Sequence, residues 1–550
     1  MVDMTTPINI YFYSPSPKQD QDEVSVGSDF SSMLFINTVP VFLDAFIQKT
    51  DSEFYQRVNW SKISLTPKTQ KELITDIEKY NIDVVCFSLY FWNNENILEI
   101  SKGLKQQLNR EVLILAGGPS VNVVRDNNYN KDNPDFDYTI YAQGERPFYD
   151  ILKHKFDGQP LSVLTTKNCS WVEHDRVKKA DYEFYRLTNG SPYIESRHIL
   201  EKVVYDMEYQ GRTFSLPYET VKGCPFNCSF CDWTSGLSHK VAKRKFSYEL
   251  DVELFHELGI HKLYFSDANF GMHKEDKGIV EILAEHNRTH EEKFYIVSAN
   301  FSKTKKRDVY DILKIMLAND LLYTFKVSIQ DIHLEILDNI ERPDIPWPEH
   351  LEYVKSIQRD FPDLVPTVEM IQGLPGQTRE TWENMLTEIS RHSFNALVFK
   401  FIIISNSPAS YDTDWRERMA IKTEKVKLEY GKHAEAVTSS YSYDTSDYAY
   451  FTMITEFYQQ LQQIGNSLIP LFGKFIEFAK QHSEFDDYMF KLSKNHNNIP
   501  ASILISQSFF RKIIRDNIKR IDRQYLKSLV KFVHASNISE SELDKKLEAV

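Results

Sequence analysis

The sequence is poor in cysteine: 5 among 550 residues, three of them between positions 224 and 231. So few thiols in so long a chain exclude a disulfide framework, and their clustering points instead to metal binding or catalysis. Also missing is any run of about 18 apolar residues, so no membrane-spanning helix and no membrane partner are expected. The opening MVDMTTPINIYFYSPSP has no charged segment leading into a long apolar core. No secretory signal is therefore expected, and the chain is expected to be cytoplasmic. An excess of positive charge is lacking too. The formal net charge of -13 argues against a protein that neutralises nucleic-acid phosphates, so no nucleic-acid partner is expected. Internal repeats and low-complexity tracts are absent.

What is present is substantial apolar material, 42% of residues with 13% aromatic, enough for two to four domains at this length. From residue 8 to about 154, INIYFYS, DVVCFSLYFW, EVLILAGGP and DYTIYAQGE alternate with helical patterns such as 94–108. That alternation predicts a doubly wound parallel sheet, with its ligand crevice at the carboxyl ends of the strands. The expected lips are Ser88 to Trp92, Gly117 to Ser120, and Gly144 with Glu145. Residues 155–204 lack strong periodicity and read as a linker. A second series runs from 205 to 409: PYETVKG, HKLYFSDANF, KFYIVSANF, LYTFKVSIQD, LVPTVEMIQG and ALVFKFIIIS, with helical patterns at 247–258, 306–318, 348–358 and 378–390. Six such units predict a partial (β/α)6 TIM-like barrel, with its chemistry at the carboxyl ends of the strands. The polar residues there are Asp267, Asn269, Ser298, Asn300, Ser328, Gln330, Glu369, Gln372 and Ser405. Beyond 410, aromatic-rich helical patterns without clear strands predict a helical C-terminal domain. The fold class is α/β.

The three thiols Cys224, Cys228 and Cys231 are spaced CxxxCxxC in GCPFNCSFCDW, directly after the first strand of the second series. Structural zinc takes four protein ligands, and catalytic zinc three and a water. A complete finger pattern is missing here, although His239 is available as a fourth ligand. A 4Fe-4S cluster held by three thiols leaves one iron open, which gives the absent fourth thiol a chemical purpose. Three ordinary buried cysteines are the bland alternative. HKVAKRK, residues 239–245, is a basic run that suits an anionic ligand or, more simply, a solvated helix start.

GCPFNCSFCDW and its strand context resemble the radical S-adenosylmethionine superfamily over about residues 205–408. The resemblance implies that Cys224, Cys228 and Cys231 hold a 4Fe-4S cluster whose open iron chelates S-adenosylmethionine. An electron from the cluster would cleave that cofactor to methionine and a 5'-deoxyadenosyl radical. It also implies contacts to methionine from Asp267 and Asn269 in SDANF, to adenine from the glycine-containing segment IQGLPGQTRE with Gly373, and to ribose from Ser328 and Gln330 in SIQD; Phe230 would pack beside adenine or belong to the core. Ser298 and Glu369 are further cofactor candidates by their expected strand-end positions, and ISNSPAS resembles the sixth strand end. For Asp267 and Ser328 the alternative is a turn or cap that satisfies loop amides.

VVCFSLYFWN, LILAGGPSVN, YTIYAQGERPF and SPYIES resemble the cobalamin-binding branch of the same superfamily. By that resemblance Gly117, Gly118, Pro119 and Ser120 lie near cobalamin, glycine allowing close approach. One departure stands out. Many cobalamin proteins supply a histidine from a DxHxxG loop, but the first histidine here is His154. Cobalamin would bind without protein imidazole, or the domain would keep the fold without the cofactor.

The expected function is a cobalamin-dependent radical C-methyltransferase acting on a peptide or small-molecule natural product, with flavodoxin or ferredoxin as reductant. One S-adenosylmethionine would methylate cobalamin and another would supply the radical. Radical peptide epimerisation, cyclisation or bond cleavage is the alternative, and a non-catalytic iron-sulfur sensor a remote one. The thiol-donor version of epimerisation is weakened because no cysteine follows Cys231. No catalytic side chain is picked out.

Overall fold

A computed structural model describes residues 6–16, 34–158 except 125 and 127, 166–185, 190–208, 214–233, 239–303, 306–322, 325–427, 433–464, 466–473 and 476. Two compact units emerge, one from 1–322, 403–413 and 427–434, the other from 323–402, 414–426 and 435–550.

In the first unit, five parallel strands run in the spatial order Val58–Ser64, Ile8–Tyr13, Val84–Ser88, Leu113–Gly117, Tyr138–Ile140. In chain order this is 2-1-3-4-5, and its switch point lies between Ile8–Tyr13 and Val84–Ser88, where such sheets open a ligand crevice. The strands Ile8–Tyr13 and Val84–Ser88 are almost wholly buried. Continuous apolar runs of this kind belong in a sheet covered on both faces. Tyr11, Tyr13, Phe87, Leu89 and Ile114 fill the core on one side. Val58–Ser64 was not read as a strand: VNWSKIS is mixed in polarity, as suits an edge strand with a burial pattern that alternates only in part. The predicted helix 94–108 is two helices, Asn94–Ser101 and Leu104–Gln107, because Gly103 takes a left-handed φ of +70 between them.

The stretch expected as linker contains regular structure. Cys169–Glu173 and Arg176–Lys179 extend the first sheet antiparallel from Tyr138–Ile140, and Pro192–Glu195 and Arg197–Glu208 are helical. A second sheet of the same unit has the parallel order Tyr295–Phe301, Lys262–Phe270, Phe214–Tyr218, Leu34–Phe35. Leu34–Phe35 comes from the part of the chain expected in the N-terminal domain alone; a two-residue pairing carries too little pattern to be read in advance. Beneath this sheet Tyr193, Tyr218, Phe255 and Phe265 meet in edge and tilted contacts at 5.3 to 5.9 Å. Each such buried ring is worth about 1.5–3 kcal/mol.

The second unit contains the parallel strands Lys326–Gln330, Thr367–Gln372 and Asn395–Lys400, with helices Trp347–Asp360 and Arg379–Arg391. Past residue 410 the expectation of helices alone needs correction: Lys422–Lys427 and His433–Ser439 are strands, preceding the helix Thr445–Ile464. HAEA alternates polar with small residues only briefly, and KTEKVK carries a single apolar residue, so neither strand shows a period-2 pattern long enough to be read in advance. The expected helices beyond 476 lie outside the described residues. No helix among those described is long and apolar enough to cross a membrane.

Candidate active site

The thiol loop is anchored before it begins. Asp267, 1% exposed near the carboxyl end of Lys262–Phe270, accepts from the Thr220 and Val221 amides at 2.7 and 2.9 Å and from the Thr220 hydroxyl at 2.5 Å. Burial pushes its carboxyl up to about 7 against the opposing pull of those bonds. The carboxylate thus holds the turn that leads into the thiols. Gly223 follows with φ +94, and a side chain there would collide with the Lys240 carbonyl oxygen. A two-residue antiparallel pairing of Val221–Lys222 with Ala242–Lys243 closes the base of the loop.

Cys224 and Cys228 are buried, Cys231 is half-buried, and all three thiols are free. The Asn269 amide nitrogen lies 3.2 Å from Cys224 Sγ, and Lys303 Nζ lies 3.6 Å from Cys228 Sγ and 4.9 Å from the Phe226 ring. Burial, helped by neighbouring Asp232 and Cys228, pushes the Cys231 thiol up to about 12, while Lys303 pulls the other way. Two donors thus face the sulfurs, as a cluster of thiolates requires. Asn269 Oδ1 and Ser229 Oγ are buried without hydrogen-bond partners. Orphaned acceptors beside the thiols suit a polar ligand. The residues present therefore fit a three-thiol cluster and a polar molecule next to it. Phe230 is half-buried between Ser229 and Cys231, and Ser298 is half-buried in Tyr295–Phe301, opposite Tyr264.

The basic run after the loop is not a helix start, and two of its cations are engaged in ion pairs. Ala242–Lys243 is a short strand; Lys243 pairs with Asp276 at 3.1 Å and Arg244 with Glu219 at 3.0 Å. His239 is exposed.

At the switch point of the first sheet the Gly117–Ser120 turn is stitched to Leu89: its amide donates to Gly117 O at 2.7 Å and its carbonyl accepts from Ser120 N at 3.1 Å. Gly118 has φ +104, and a Cβ there would lie 2.8 Å from Leu89 N and closer still to its carbonyl oxygen. Glycine is thus demanded at 118 by the chain itself, whereas at 117 a Cβ would meet Ile140 at an ordinary 3.6 Å. Trp92, 38% exposed, stacks on Tyr90 with centroids 4.6 Å apart. An exposed flat ring beside a tight glycine turn fits a large planar cofactor.

Segment 403–413 joins these two loops. Asn406, left-handed at φ +67, donates to Pro119 O at 2.8 Å and Val121 O at 3.2 Å. Three residues on, the Ala409 amide donates to Ser229 O at 2.8 Å. Lys222 adds an ion pair to Glu145 at 3.1 Å. Lys303, Lys222 and Asn406 were not singled out in the sequence; Asn406 lies within ISNSPAS, but nothing local signals a left-handed asparagine.

In the second unit, Ser328 and Glu369 are register partners inside neighbouring strands rather than at their ends and share a hydrogen bond, and Arg342 donates to Ser328 O. Gln330 is buried with φ +66. Gly373 has φ +93, with Val437 O and the Tyr443 and Tyr448 rings where a side chain would begin. Gln377, fully buried, fixes that turn by accepting from the Gly373 and Leu374 amides at 2.8 and 3.0 Å.

A thiol triad follows a parallel strand of an α/β protein, and one segment ties its loop to the glycine turn of a doubly wound sheet. Residues 218–389 match the family model of the radical SAM superfamily, and residues 58–152 that of the B12 binding domain. The chain unites a radical SAM domain with a B12-binding domain. The first implies a 4Fe-4S cluster and S-adenosylmethionine, the second cobalamin.

The chain is 29% identical over 338 residues to the cobalamin-dependent radical SAM methyltransferase TokK of Streptomyces tokunonensis, covering 59% of this chain and 48% of that protein. It is 27% identical over 336 residues, with the same shares, to the 2-(S-pantetheinyl)-carbapenam-3-carboxylate methyltransferase of Streptantibioticus cattleyicolor. The matches thus span about half the length of these relatives. Among solved structures it resembles the cobalamin-dependent S-adenosylmethionine radical enzyme OxsB with aqua-cobalamin bound, with a TM-score of 0.57, 13% identity, and 99% and 81% of the two chains covered. At that identity the likeness speaks to fold.

Proposed function

We propose that the protein is a cobalamin-dependent radical S-adenosylmethionine C-methyltransferase acting on a peptide or small-molecule natural product in the cytoplasm, with flavodoxin or ferredoxin as reductant. The observation that carries this reading is the double attachment of segment 406–409, one end on the Pro119 turn and the other on the thiol loop at Ser229. Methyl transfer to a carbon radical needs both centres at one substrate, and this segment supports their adjacency.

When bound, the cluster would reduce S-adenosylmethionine to a 5'-deoxyadenosyl radical and cobalamin would carry the methyl group. Cys224, Cys228 and Cys231 would hold the cluster. Asn269 would donate to the Cys224 sulfur and leave its free Oδ1 for the amino group of S-adenosylmethionine. Lys303 would balance thiolate charge, and Asp267 would keep the loop entrance closed to water. Residues Leu89–Trp92 and Gly117–Ser120 would receive the corrin. Phe230, Ser298, Ser328, Gln330, Glu369 and Gly373 remain the proposed contacts for the rest of S-adenosylmethionine.

The test is anaerobic reconstitution with iron, sulfide and hydroxocobalamin, then incubation with S-adenosylmethionine and a low-potential reductant. Co-elution of cobalamin with the protein and formation of 5'-deoxyadenosine are expected. A cluster-loaded preparation that makes no 5'-deoxyadenosine would refute the radical reading. One that makes it but retains no cobalamin would refute methyl transfer.

A further inference from the structure

The helix Tyr248–Glu257, the helix Glu275–Thr289 and the turns that follow them gather four histidines and a glutamate to which neither cofactor assigns a role. His256 Nδ1 lies 3.4 Å from His261 Nε2 and 4.0 Å from Glu292 Oε2, and His261 Nε2 lies 3.5 Å from the same oxygen. A triangle with those edges has its equidistant point roughly 2.1 Å from all three atoms, the length of zinc bonds to imidazole nitrogen and carboxylate oxygen. Behind it His286 is 8% exposed, yet neither of its ring nitrogens has a hydrogen-bond partner. Its ring lies 4.8 Å from that of His256 and stacks at 4.0 Å on His290, the residue that caps the carboxyl end of its helix. The ligand atoms of His256, His286 and His290 also lie within 4.8 Å of one another.

Hydrogen bonds fix the turns that carry these side chains. Gly259, left-handed at φ +66, caps the first helix and turns the chain so that His256 and His261 meet. His261 O accepts from Tyr295 N at 2.7 Å. Asn287 donates to Phe294 O at 2.9 Å and accepts from Phe294 N at 2.7 Å, fixing the turn that carries Glu292. Two helix carboxyl ends, with their partial negative charge, close on the same spot and favour a cation there. The cluster sits at the amino ends of Lys262–Phe270 and Tyr295–Phe301, whereas Asn269 lies toward the carboxyl end of the former, so the thiols are served from the other end of the strand.

We propose that His256, His261 and Glu292 form a binding site for one divalent transition-metal ion, zinc by the chemistry of its ligands, with the buried His286 at its inner side. Nitrogen-rich sets with one carboxylate select such ions over calcium and magnesium, which prefer all-oxygen shells. The ion would clamp the two helix ends and the entrances of both strands, a structural task independent of radical chemistry.

The test is equilibrium dialysis of the cluster-loaded full-length chain against zinc under anaerobic conditions, with metal analysis, for the parent, H256A, H261A and H290A. One zinc equivalent per chain is expected to disappear in H256A and H261A and to remain in H290A. Iron content and far-ultraviolet circular dichroism serve as the folding control. If H256A unfolds, H261Q and E292Q provide the comparison, each expected to weaken binding at least tenfold. Equal zinc in parent and H261A, or loss in H290A with retention in H261A, would overturn the assignment, as would a parent that takes up no zinc beyond that of H256A.

Discussion

Removing the Asp267 carboxylate would test whether the thiol loop depends on its anchor. Asp267→Ala leaves three buried donors, the Thr220 and Val221 amides and the Thr220 hydroxyl, without their acceptor. Each unsatisfied group costs about 1–3 kcal/mol, so the loss is at least about 3 kcal/mol. For a unit of more than 300 residues that corresponds to a fall of roughly 4 °C in melting temperature. Because the freed backbone lies immediately before Gly223 and Cys224, cluster loading should fall as well. Asp267→Asn keeps an acceptor for the amides, the Thr220 hydroxyl can turn to accept, and the loop should stay anchored with an iron content close to the parent's. The substitution also removes a titration. Burial raises the folded carboxyl from 3.8 to about 7, so its favourable contribution is complete below pH 4 and is lost as pH rises through 7. The asparagine variant should therefore gain on the parent between pH 4 and 7 and level off above. The parent keeps part of its slope after the change because Asp251, also pushed up to about 7 by burial, titrates in the same window. The assay is scanning fluorimetry across pH, together with iron and sulfide analysis of reconstituted protein. An Asp267→Ala chain as stable and as iron-rich as the parent would refute the anchoring argument.

Asn269→Ala deletes the donor to Cys224 Sγ and should move the cluster's midpoint potential negative, on the order of tens of millivolts, with iron content retained; potentiometric titration reads it, and an unchanged potential counts against the contact. Asn406→Ala removes two bonds to the Pro119 and Val121 carbonyls, each worth about 1 kcal/mol. Cobalamin retention should weaken roughly tenfold while 5'-deoxyadenosine formation persists, and equal retention would separate the segment from the corrin site. Gly118→Ala forces a side chain against Leu89 at a positive φ. It should cost about 3 kcal/mol or more, seen as lost soluble yield or a lower melting temperature. Gly117→Ala should be tolerated.

The radical SAM domain was legible because its information is local. CxxxCxxC after a strand is a motif whose spacing needs no distant partner to be recognised. The doubly wound sheet was legible for a similar reason: INIYFYS, DVVCFS and LILAGG are continuous apolar runs, and runs buried on both faces name their own environment. VNWSKIS escaped because an edge strand keeps one side polar, and LF at 34–35 because two residues carry no period. Asp267 shows the limit from the other side. SDANF marks it as a strand-end carboxylate, but whether it meets a cofactor or ties down a turn depends on Thr220 and Val221, 47 and 46 residues away.

Residue order alone therefore determined the α/β class and the pairing of a radical SAM domain with a B12-binding domain, since these reside in short-range spacing and burial patterns. Tertiary structure decided what those parts touch: Asn269 on a sulfur, Asn406 on the Pro119 turn 287 residues earlier, and His256 beside His261 and Glu292. Such contacts are set by packing between distant segments, where one hydrogen bond of about 1 kcal/mol leaves no periodic trace in the sequence.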